Sequence, residues 1–171
     1  MSLTFLVGGA RSGKSALAVR LASEWEGPVI FLATAEARED PELAARIARH
    51  RLERPTGWRT VEEPLDLFGE LGRMPGRAFV VVDCLTLWAA NALDSGWSDE
   101  DVERAAADTA ALAAVRASPT VVVSNEIGMG IVPETPLGRT FRDLLGRVNA
   151  VFADRADRAC LVVAGRTLEL T

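Results

Sequence analysis

One stretch near the start of the chain, residues 8–15, constrains the fold more than any other. It reads Gly-Gly-Ala-Arg-Ser-Gly-Lys-Ser and lies between an apolar run, residues 3–7, and a helix-forming segment that starts at Ala16. This is the spacing GxxxxGK[ST], in which glycines allow backbone N–H groups to turn inward around phosphate oxygens at a helix N-terminus. The motif therefore predicts a strand, a phosphate-binding loop and a helix in that order.

Every residue of this loop is a candidate nucleotide contact: Gly8, Gly9, Ala10, Arg11, Ser12, Gly13, Lys14 and Ser15. Lys14 is placed to reach the β- and γ-phosphates, and the Ser15 hydroxyl is placed to ligate Mg²⁺. Of the 19 basic residues, Lys14 is the only lysine. A compact ammonium suits a phosphate loop better than a bulkier guanidinium, so this choice supports a catalytic role for Lys14.

Nearly continuous apolar runs recur along the chain, at residues 3–7, 28–33, 78–82, 120–123 and 159–164. Such runs are typical of strands covered on both faces, and helical patterns separate them. We therefore predict an α/β, P-loop NTPase-like three-layer fold, with a mostly parallel sheet flanked by helices and one domain over residues 1–171. Residues 58–62 and 167–170 are candidate short strands, the second of them antiparallel.

Two helices are predicted with particular clarity. The first covers residues 99–116, with Ser98 and Asp101 forming a capping box and an alanine-rich face that suits packing. The second covers residues 137–154 and places apolar residues on one face. Those residues are Leu137, Phe141, Leu144, Leu145 and Val148.

Composition excludes several classes of protein. The formal charge of −5 argues against a general nucleic-acid binder. No signal peptide is recognisable and no apolar run approaches the length of a membrane span, so we expect no membrane span and a cytoplasmic location. Cys84 and Cys160 lie in or beside apolar runs without metal-ligand spacing, and they are expected to be reduced core thiols.

A second candidate site residue is Asp83, which ends the apolar run Val80-Val81-Val82. A carboxylate at the end of such a strand has the form of a Walker B element, which holds Mg²⁺ beside a phosphate loop directly or through water. The alternative is that Asp83 caps the helix expected over residues 85–93.

The only histidine, His50, lies within an arginine-rich stretch, residues 46–55, of local charge +3. A neutral imidazole among phosphate-binding arginines can attack phosphorus and form a phosphoramidate. Helical spacing also permits a structural role, because Leu43, Ile47 and His50 fall on one apolar stripe. A solvent-exposed, salt-bridged face is a further alternative.

The segment that follows the fourth apolar run, residues 124–133, contains Asn125-Glu126, two glycines and exposed-looking apolar residues. It starts at the carboxyl end of a strand, where ligands gather in open α/β sheets. It is therefore either a loop that shapes a substrate pocket or a long structural connection.

Several of these motifs together resemble one enzyme family over essentially the whole chain: the bifunctional adenosylcobinamide kinase / adenosylcobinamide-phosphate guanylyltransferases of cobalamin biosynthesis. The resembling segments are Gly8-Gly9-Ala10-Arg11-Ser12-Gly13-Lys14-Ser15, Leu32-Ala33-Thr34-Ala35, Arg46-Ile47 with His50 and Arg54-Pro55, Gly57-Trp58-Arg59-Thr60-Val61-Glu62, Asn125-Glu126-Ile127-Gly128-Met129-Gly130-Ile131-Val132-Pro133, Phe141-Arg142-Asp143 and Gly146-Arg147-Val148-Asn149. The family often has Gln where this chain has Ala150, which weakens any polar role there. Relatives may carry Glu where this chain has Asp83, still an oxygen ligand suited to Mg²⁺.

The resemblance implies two reactions on small-molecule substrates. A nucleoside triphosphate, ATP or GTP, phosphorylates adenosylcobinamide, and GTP then donates GMP to adenosylcobinamide phosphate through a histidine that corresponds to His50. It also implies a homo-oligomer, a trimer with active sites near subunit boundaries. Beyond the phosphate loop, the implied nucleotide contacts are Ala33, Thr34, Ala35, Arg51, Leu52, Glu53, Arg54, Glu62 and Asp83, and the implied metal ligands are Ser15 and Asp83.

Two narrower readings of the residues stay open at this point. One is a P-loop small-molecule kinase in which His50 is structural. The other is a nucleotide-dependent switch or assembly subunit, which would hydrolyse nucleotide slowly in response to a protein partner.

Overall fold

A computed structural model describes residues 2–35 and 55–170 of the chain. Their strands are β1 (Leu3–Gly8), β2 (Val29–Ala33), β3 (Arg59–Glu62), β4 (Phe79–Asp83), β5 (Thr120–Asn125), β6 (Arg158–Val163) and β7 (Arg166–Leu170). They form one sheet in the order β3-β2-β4-β5-β1-β6-β7. Every neighbouring pair is parallel except β6 and β7, which form an antiparallel hairpin.

Helices cover both faces of this sheet. Within the described residues they are α1 (Lys14–Ser23), α2 (Leu67–Arg73), α3 (Leu85–Asp94), α4 (Asp99–Val115) and α5 (Pro136–Arg155). Alternate strand residues face opposite sides: Phe5 and Val80 belong to a core shared with α2 to α5, whereas Leu6 and Val81 belong to a core shared with α1. The predicted three-layer α/β fold with a mostly parallel sheet is therefore confirmed.

The strand predictions are also confirmed, because a strand overlaps each of the five apolar runs; four of these strands are buried along most of their length and β6 along half of it. The two short strands are present as β3 and β7, and β7 is antiparallel as expected. Burial on both faces explains why these runs show continuous apolar character instead of alternation.

The helix predicted over residues 99–116 is α4. Its N-cap is Ser98, whose hydroxyl oxygen accepts a hydrogen bond from Asp101 N at 3.1 Å. Ser98 in turn lowers the pKa of the Asp101 carboxyl through hydrogen bonds from its hydroxyl and its backbone. Along the alanine-rich face, Ala106, Ala110 and Ala113 are fully buried, so this face serves packing.

The second predicted helix is α5, which begins at Pro136 after a Thr135 cap. Leu144, Leu145 and Val148 of the apolar face are buried, but Leu137, which the same spacing places on that face, is 70% exposed. Leu137 lies about two turns before Leu144, where the first turn of α5 extends beyond the part of the helix that packs on the core.

Two further observations concern membrane spans and the cysteines. None of the described helices combines the length and the apolar character that a bilayer crossing needs. Both cysteines carry free thiols, with Cys160 buried and Cys84 half-buried.

Candidate active site

The phosphate loop joins the last residue of β1, Gly8, to the first residue of α1, Lys14. Gly13 has a φ of +100°, a conformation that glycine adopts without strain. At Gly8 the constraint is steric: a Cβ atom there would lie 2.2 Å from the Val162 carbonyl oxygen. The two glycines that define the motif are therefore required for different physical reasons.

The Lys14 side chain lies inside this loop and is only 6% exposed. Its Nζ donates hydrogen bonds to the carbonyl oxygens of Gly8 at 2.8 Å and Gly9 at 2.7 Å, and to Ser12 Oγ at 3.3 Å. The loop thus holds a positive charge at its centre, where an anionic phosphate would gain the most from it.

The hairpin of β6 and β7 supports the loop from one side. Gly165 N donates a hydrogen bond to Ser12 O at 2.8 Å. A Cβ atom on Gly13 would lie 3.2 Å from Gly165 Cα, so the two backbones are in close contact. The turn that carries Gly165 has positive φ at both Ala164 (49°) and Gly165 (75°).

The other predicted site residues described by the structure lie at the same edge of the sheet. Ala33 at the end of β2 is in register with Glu62 of β3 on one side and with Asp83 of β4 on the other. Strand β5 lies between β4 and β1, and its last residue, Asn125, is in register with Gly8. The carboxyl ends of these parallel strands therefore gather the phosphate loop, Ala33, Glu62 and Asp83 at one edge.

Asp83 is not the cap of the helix that follows it. Helix α3 begins at Leu85 with Cys84 as its N-cap, and the Cys84 side chain forms no cap hydrogen bond. The helix-capping alternative for Asp83 is therefore wrong.

Burial, together with the Asp83 carboxylate, raises the pKa of the Cys84 thiol to about 11, so this thiol is protonated at neutral pH.

Thr34 joins the end of β2 to this turn. It is fully buried, its Oγ1 donates to Cys84 O at 2.7 Å, and the same oxygen accepts from Cys84 N at 2.9 Å. Asn91 of α3 donates to Thr34 O at 2.9 Å and to Pro64 O at 3.3 Å. Thr34 and Asn91 therefore hold three chain segments together at the carboxyl edge. The expected nucleotide contact at Thr34 stays a prediction.

A second buried polar network anchors the end of β5. Ser124 Oγ donates to Asn149 Oδ1 at 2.6 Å, and Asn149 Nδ2 donates to Asn125 O at 3.0 Å. Asn125 N donates to Thr86 Oγ1 at 3.0 Å, and Glu126 N donates to Gly8 O at 3.0 Å. The segment after β5 is thus tied directly to the phosphate loop.

Sequence reasoning did not identify Asn91, Asn149 or Thr86 as site-forming residues. A signal was available for Asn149, because it follows Val148 on the apolar face of α5 and is itself only 8% exposed. An amide at a buried helical position requires hydrogen-bond partners, and its position in the sequence does not reveal them.

Five further predicted site residues, namely His50, Arg51, Leu52, Glu53 and Arg54, lie outside the described residues. Their roles stay predictions from the sequence. Among the residues that the structure does describe, no group of three or more His, Cys, Asp or Glu side chains could hold a metal ion.

Ser15 and Asp83, the proposed magnesium ligands, fit a site in which protein side chains supply only part of the coordination shell of the metal ion. Ser15 lies in the first turn of α1, next to the phosphate loop, and Asp83 ends β4 at the same edge of the sheet. Mg²⁺ commonly takes one or two protein oxygens and completes its shell with water and substrate phosphates. A hydroxyl and a carboxylate therefore suit Mg²⁺ bound together with a nucleotide better than a cage built wholly from protein.

Comparison with known proteins identifies relatives over nearly the full length. Residues 4–170 match the family model described as "Cobinamide kinase / cobinamide phosphate guanyltransferase". The chain is 41% identical to the bifunctional adenosylcobalamin biosynthesis protein CobP of Pseudomonas aeruginosa, over 96% of this chain and 95% of that protein. It is 40% identical to the bifunctional adenosylcobalamin biosynthesis protein CobU of Escherichia coli, over 95% of this chain and 96% of that protein.

Solved structures that share the fold are more distant. A type III secretion system ATPase from pathogenic bacteria superposes with a TM-score of 0.54 at 13% identity, over 94% of this chain and 50% of that one. The KaiC-like protein PH0186 of Pyrococcus horikoshii gives a TM-score of 0.54 at 12% identity, over 94% of this chain and 70% of that one. At these identities the likeness concerns the fold alone.

Proposed function

Because this chain belongs to the cobinamide kinase / cobinamide phosphate guanyltransferase family, we propose that it catalyses both reactions in adenosylcobalamin biosynthesis. In the first, a nucleoside triphosphate phosphorylates the aminopropanol hydroxyl of adenosylcobinamide. In the second, GTP donates GMP to adenosylcobinamide phosphate, which gives adenosylcobinamide-GDP and pyrophosphate. Both reactions begin from a bound nucleoside triphosphate.

The observation that carries this proposal is the position of the Lys14 ammonium. It is held by three oxygens inside a loop whose shape excludes side chains at Gly8, and the loop opens at the edge where Asp83 also lies. A charge positioned before the substrate arrives stabilises the developing negative charge on phosphate oxygens without costly rearrangement.

In the kinase step, the substrate hydroxyl attacks the γ-phosphorus, the bond from that phosphorus to the bridging oxygen breaks, and nucleoside diphosphate leaves. Lys14 interacts with the oxygens of the transferred group, and the loop N–H groups hold the remaining phosphates. Ser15 and Asp83 would hold Mg²⁺, which supplies charge neutralisation at the phosphates when it is bound with nucleotide.

In the guanylyl step, neutral His50 attacks the α-phosphorus of GTP, the α–β bridging bond breaks and pyrophosphate leaves. The resulting phosphoramidate is then attacked by an oxygen of adenosylcobinamide phosphate, which restores the imidazole. Arginines adjacent to His50 in the sequence would favour its neutral, reactive form. This step rests on the sequence and on the family, since His50 lies outside the described residues.

The experiment that tests the guanylyl step uses GTP labelled at the α-phosphate. Wild-type protein and His50→Ala are incubated with Mg²⁺ and the labelled GTP, then denatured. We expect acid-labile, alkali-stable label on the wild-type chain and none on the variant. GTP labelled at the γ-phosphate is the matched control, because its label should leave with pyrophosphate.

Lys14→Ala separates the shared site from the histidine. It should lower the rates of both reactions by about 100-fold or more, because both need the same phosphate loop. His50→Ala should leave cobinamide phosphorylation intact. Wild-type protein that binds GTP and phosphorylates cobinamide without retaining α-label would contradict the histidine intermediate and leave only the kinase.

We also propose a single domain, because the sequence shows no repeat or linker, and a trimeric assembly, on the basis of the family resemblance. Light scattering of the purified protein measures the molar mass directly. A mass equal to that of one 18.3 kDa chain would contradict the trimer.

A further inference from the structure

Exposed large apolar side chains are concentrated in one segment beside the phosphate loop. Between residues 127 and 137, Met129 is 79% exposed, Ile131 95%, Val132 60% and Leu137 70%, while Ile127 is 37% exposed. We name these five residues the β5–α5 face. The other exposed large apolar residues of the described chain are Phe68, Val115 and three residues of the β6–β7 hairpin. Clustered exposure of this kind marks a binding surface, whereas isolated exposure is ordinary.

The segment that carries this face is anchored at both ends. At its start, Glu126 N donates to Gly8 O at 3.0 Å, and Asn149 holds Asn125 O at 3.0 Å. At its end, Arg139 Nη1 donates to Pro133 O at 3.0 Å and to Glu134 O at 2.8 Å. The apolar side chains are therefore presented to solvent from a backbone that is held in place, which reduces the entropy cost of binding a ligand there.

Its location also restricts what could bind. The face starts at Ile127, one residue after the hydrogen bond between Glu126 and Gly8 and two residues after the end of β5, the strand that is paired directly with β1. A molecule resting on it would lie next to the phosphates held by the loop. The kinase reaction requires such a neighbour, because the acceptor hydroxyl must approach the γ-phosphorus.

We infer that the β5–α5 face binds the corrin macrocycle of the cobinamide substrate. This inference rests on the proposed function. A corrin ring is large and relatively rigid, it carries methyl groups on its faces and polar amides at its periphery, and its aminopropanol arm bears the reacting hydroxyl. Apolar side chains bind the faces of such a ring and exclude water, while the pendant arm reaches the phosphate loop.

The test compares identical substitutions at the two ends of the sheet. Val132→Ser changes the β5–α5 face, whereas Val115→Ser makes the same change at the end of α4. This control position lies near the amino edge, because the carbonyl of the neighbouring Ala114 accepts a hydrogen bond from Ser2, which precedes β1. A double variant, Met129→Ser with Ile131→Ser, removes more of the face. For each protein we would measure the KM for cobinamide, the KM for nucleotide and kcat. Cobinamide binding by equilibrium dialysis and molar mass by light scattering complete the set.

The double variant should raise both the KM and the dissociation constant for cobinamide by about 10-fold or more, because it removes two large apolar contacts. Val132→Ser should cause a smaller rise of the same kind, and Val115→Ser should cause none. The KM for nucleotide should stay within about two-fold in all variants, since the phosphate loop is unchanged. Circular dichroism verifies that the variants remain folded.

The outcomes separate this inference from the proposed function. If the wild type converts cobinamide and the double variant has the same KM for cobinamide, the inference is wrong but the proposed function stands. A fall in molar mass with unchanged cobinamide binding would also overturn it and would assign the face to a second copy of the chain. Cobinamide binding without phosphorylation by the wild type would contradict the kinase proposal, and weaker binding in the double variant would still support the face.

Discussion

The two edges of the sheet use their polar groups differently. At the carboxyl edge, β1 ends in a glycine-rich loop around a nearly buried ammonium, and an anchored segment exposes apolar side chains beside it. At the amino edge, side chains bind the chain's own backbone. Asp157 accepts hydrogen bonds from Ser2 N at 2.7 Å and Leu3 N at 3.0 Å, which secures the start of β1.

Arg116 performs a similar task near the start of β4. Its guanidinium donates to Leu71 O at 3.2 Å, to Pro75 O at 3.1 Å and to Ala78 O at 3.0 Å. These bonds join the end of α4 to the turn that precedes β4. The carboxyl edge thus combines structural networks with the proposed nucleotide site, whereas these side chains near the amino edge bind backbone only, as open α/β sheets permit when ligands gather at the carboxyl ends of strands.

Gly8→Ala, at the carboxyl edge, should have the strongest combined effect on stability and on nucleotide binding. A Cβ atom at Gly8 would lie 2.2 Å from Val162 O, a backbone atom that cannot swing aside. We expect the free energy of unfolding to fall by about 1–3 kcal/mol and nucleotide affinity to fall by about 10-fold or more. Denaturant unfolding and equilibrium nucleotide binding measure the two effects.

Gly9→Ala is the matched control, because no atom lies within 4 Å of a Cβ atom placed there. It should change both quantities far less than Gly8→Ala. Equal losses in the two variants would show that the close approach to Val162 does not shape the loop.

The next effect is at the amino edge. Arg116→Leu removes charged donors from three backbone carbonyls, so the free energy of unfolding should fall by about 1–3 kcal/mol. Both enzymatic activities should stay unchanged at temperatures where the variant is folded. Arg77→Leu, an exposed position in the same turn, is the control and should have little effect. If folded Arg116→Leu lost activity, Arg116 would contribute to function as well as to stability, and the difference inferred between the two edges would be wrong.

The smallest effect concerns acid stability. Hydrogen bonds from the backbone of Leu3 and from Ser2 lower the pKa of the Asp157 carboxyl below its usual value of 3.8. A carboxyl whose pKa is lower in the folded state contributes stability above pH 4, and this contribution is lost as the pH falls through the folded-state pKa. Asp157→Asn should therefore flatten the decline of thermal stability below pH 4.

Asp154→Asn, an exposed position in the last turn of α5, is the control for this measurement. The thermal stability of Asp154→Asn should decline below pH 4 as steeply as that of the wild type. If Asp157→Asn showed the same decline, the bonds to Ser2 and Leu3 would contribute no pH-dependent stability.

The sequence predicted those features that local spacing encodes. The phosphate loop was predictable because glycine positions restrict the backbone itself, and the central strands were predictable because burial on both faces leaves continuous apolar runs. The networks around Thr34 and Asn149 were not, because their partners come from distant segments whose register only the folded chain reveals. Leu137 shows the same limit, since helical periodicity identifies a face but not where the core beneath it ends.

The contact between Gly165 and Ser12 has a consequence for biosynthesis. Strand β1 is made first, but its two sheet neighbours, β5 and β6, emerge from the ribosome far later. The turn at Gly165, which supports the phosphate loop, follows β6. Contacts between residues so far apart in the sequence slow folding, because the entropy cost of closing a long loop comes before the contacts form. A nascent chain should therefore acquire the proposed nucleotide binding only after Gly165 has been translated and released from the exit tunnel, although the loop proposed to bind phosphate is among the first parts to be made.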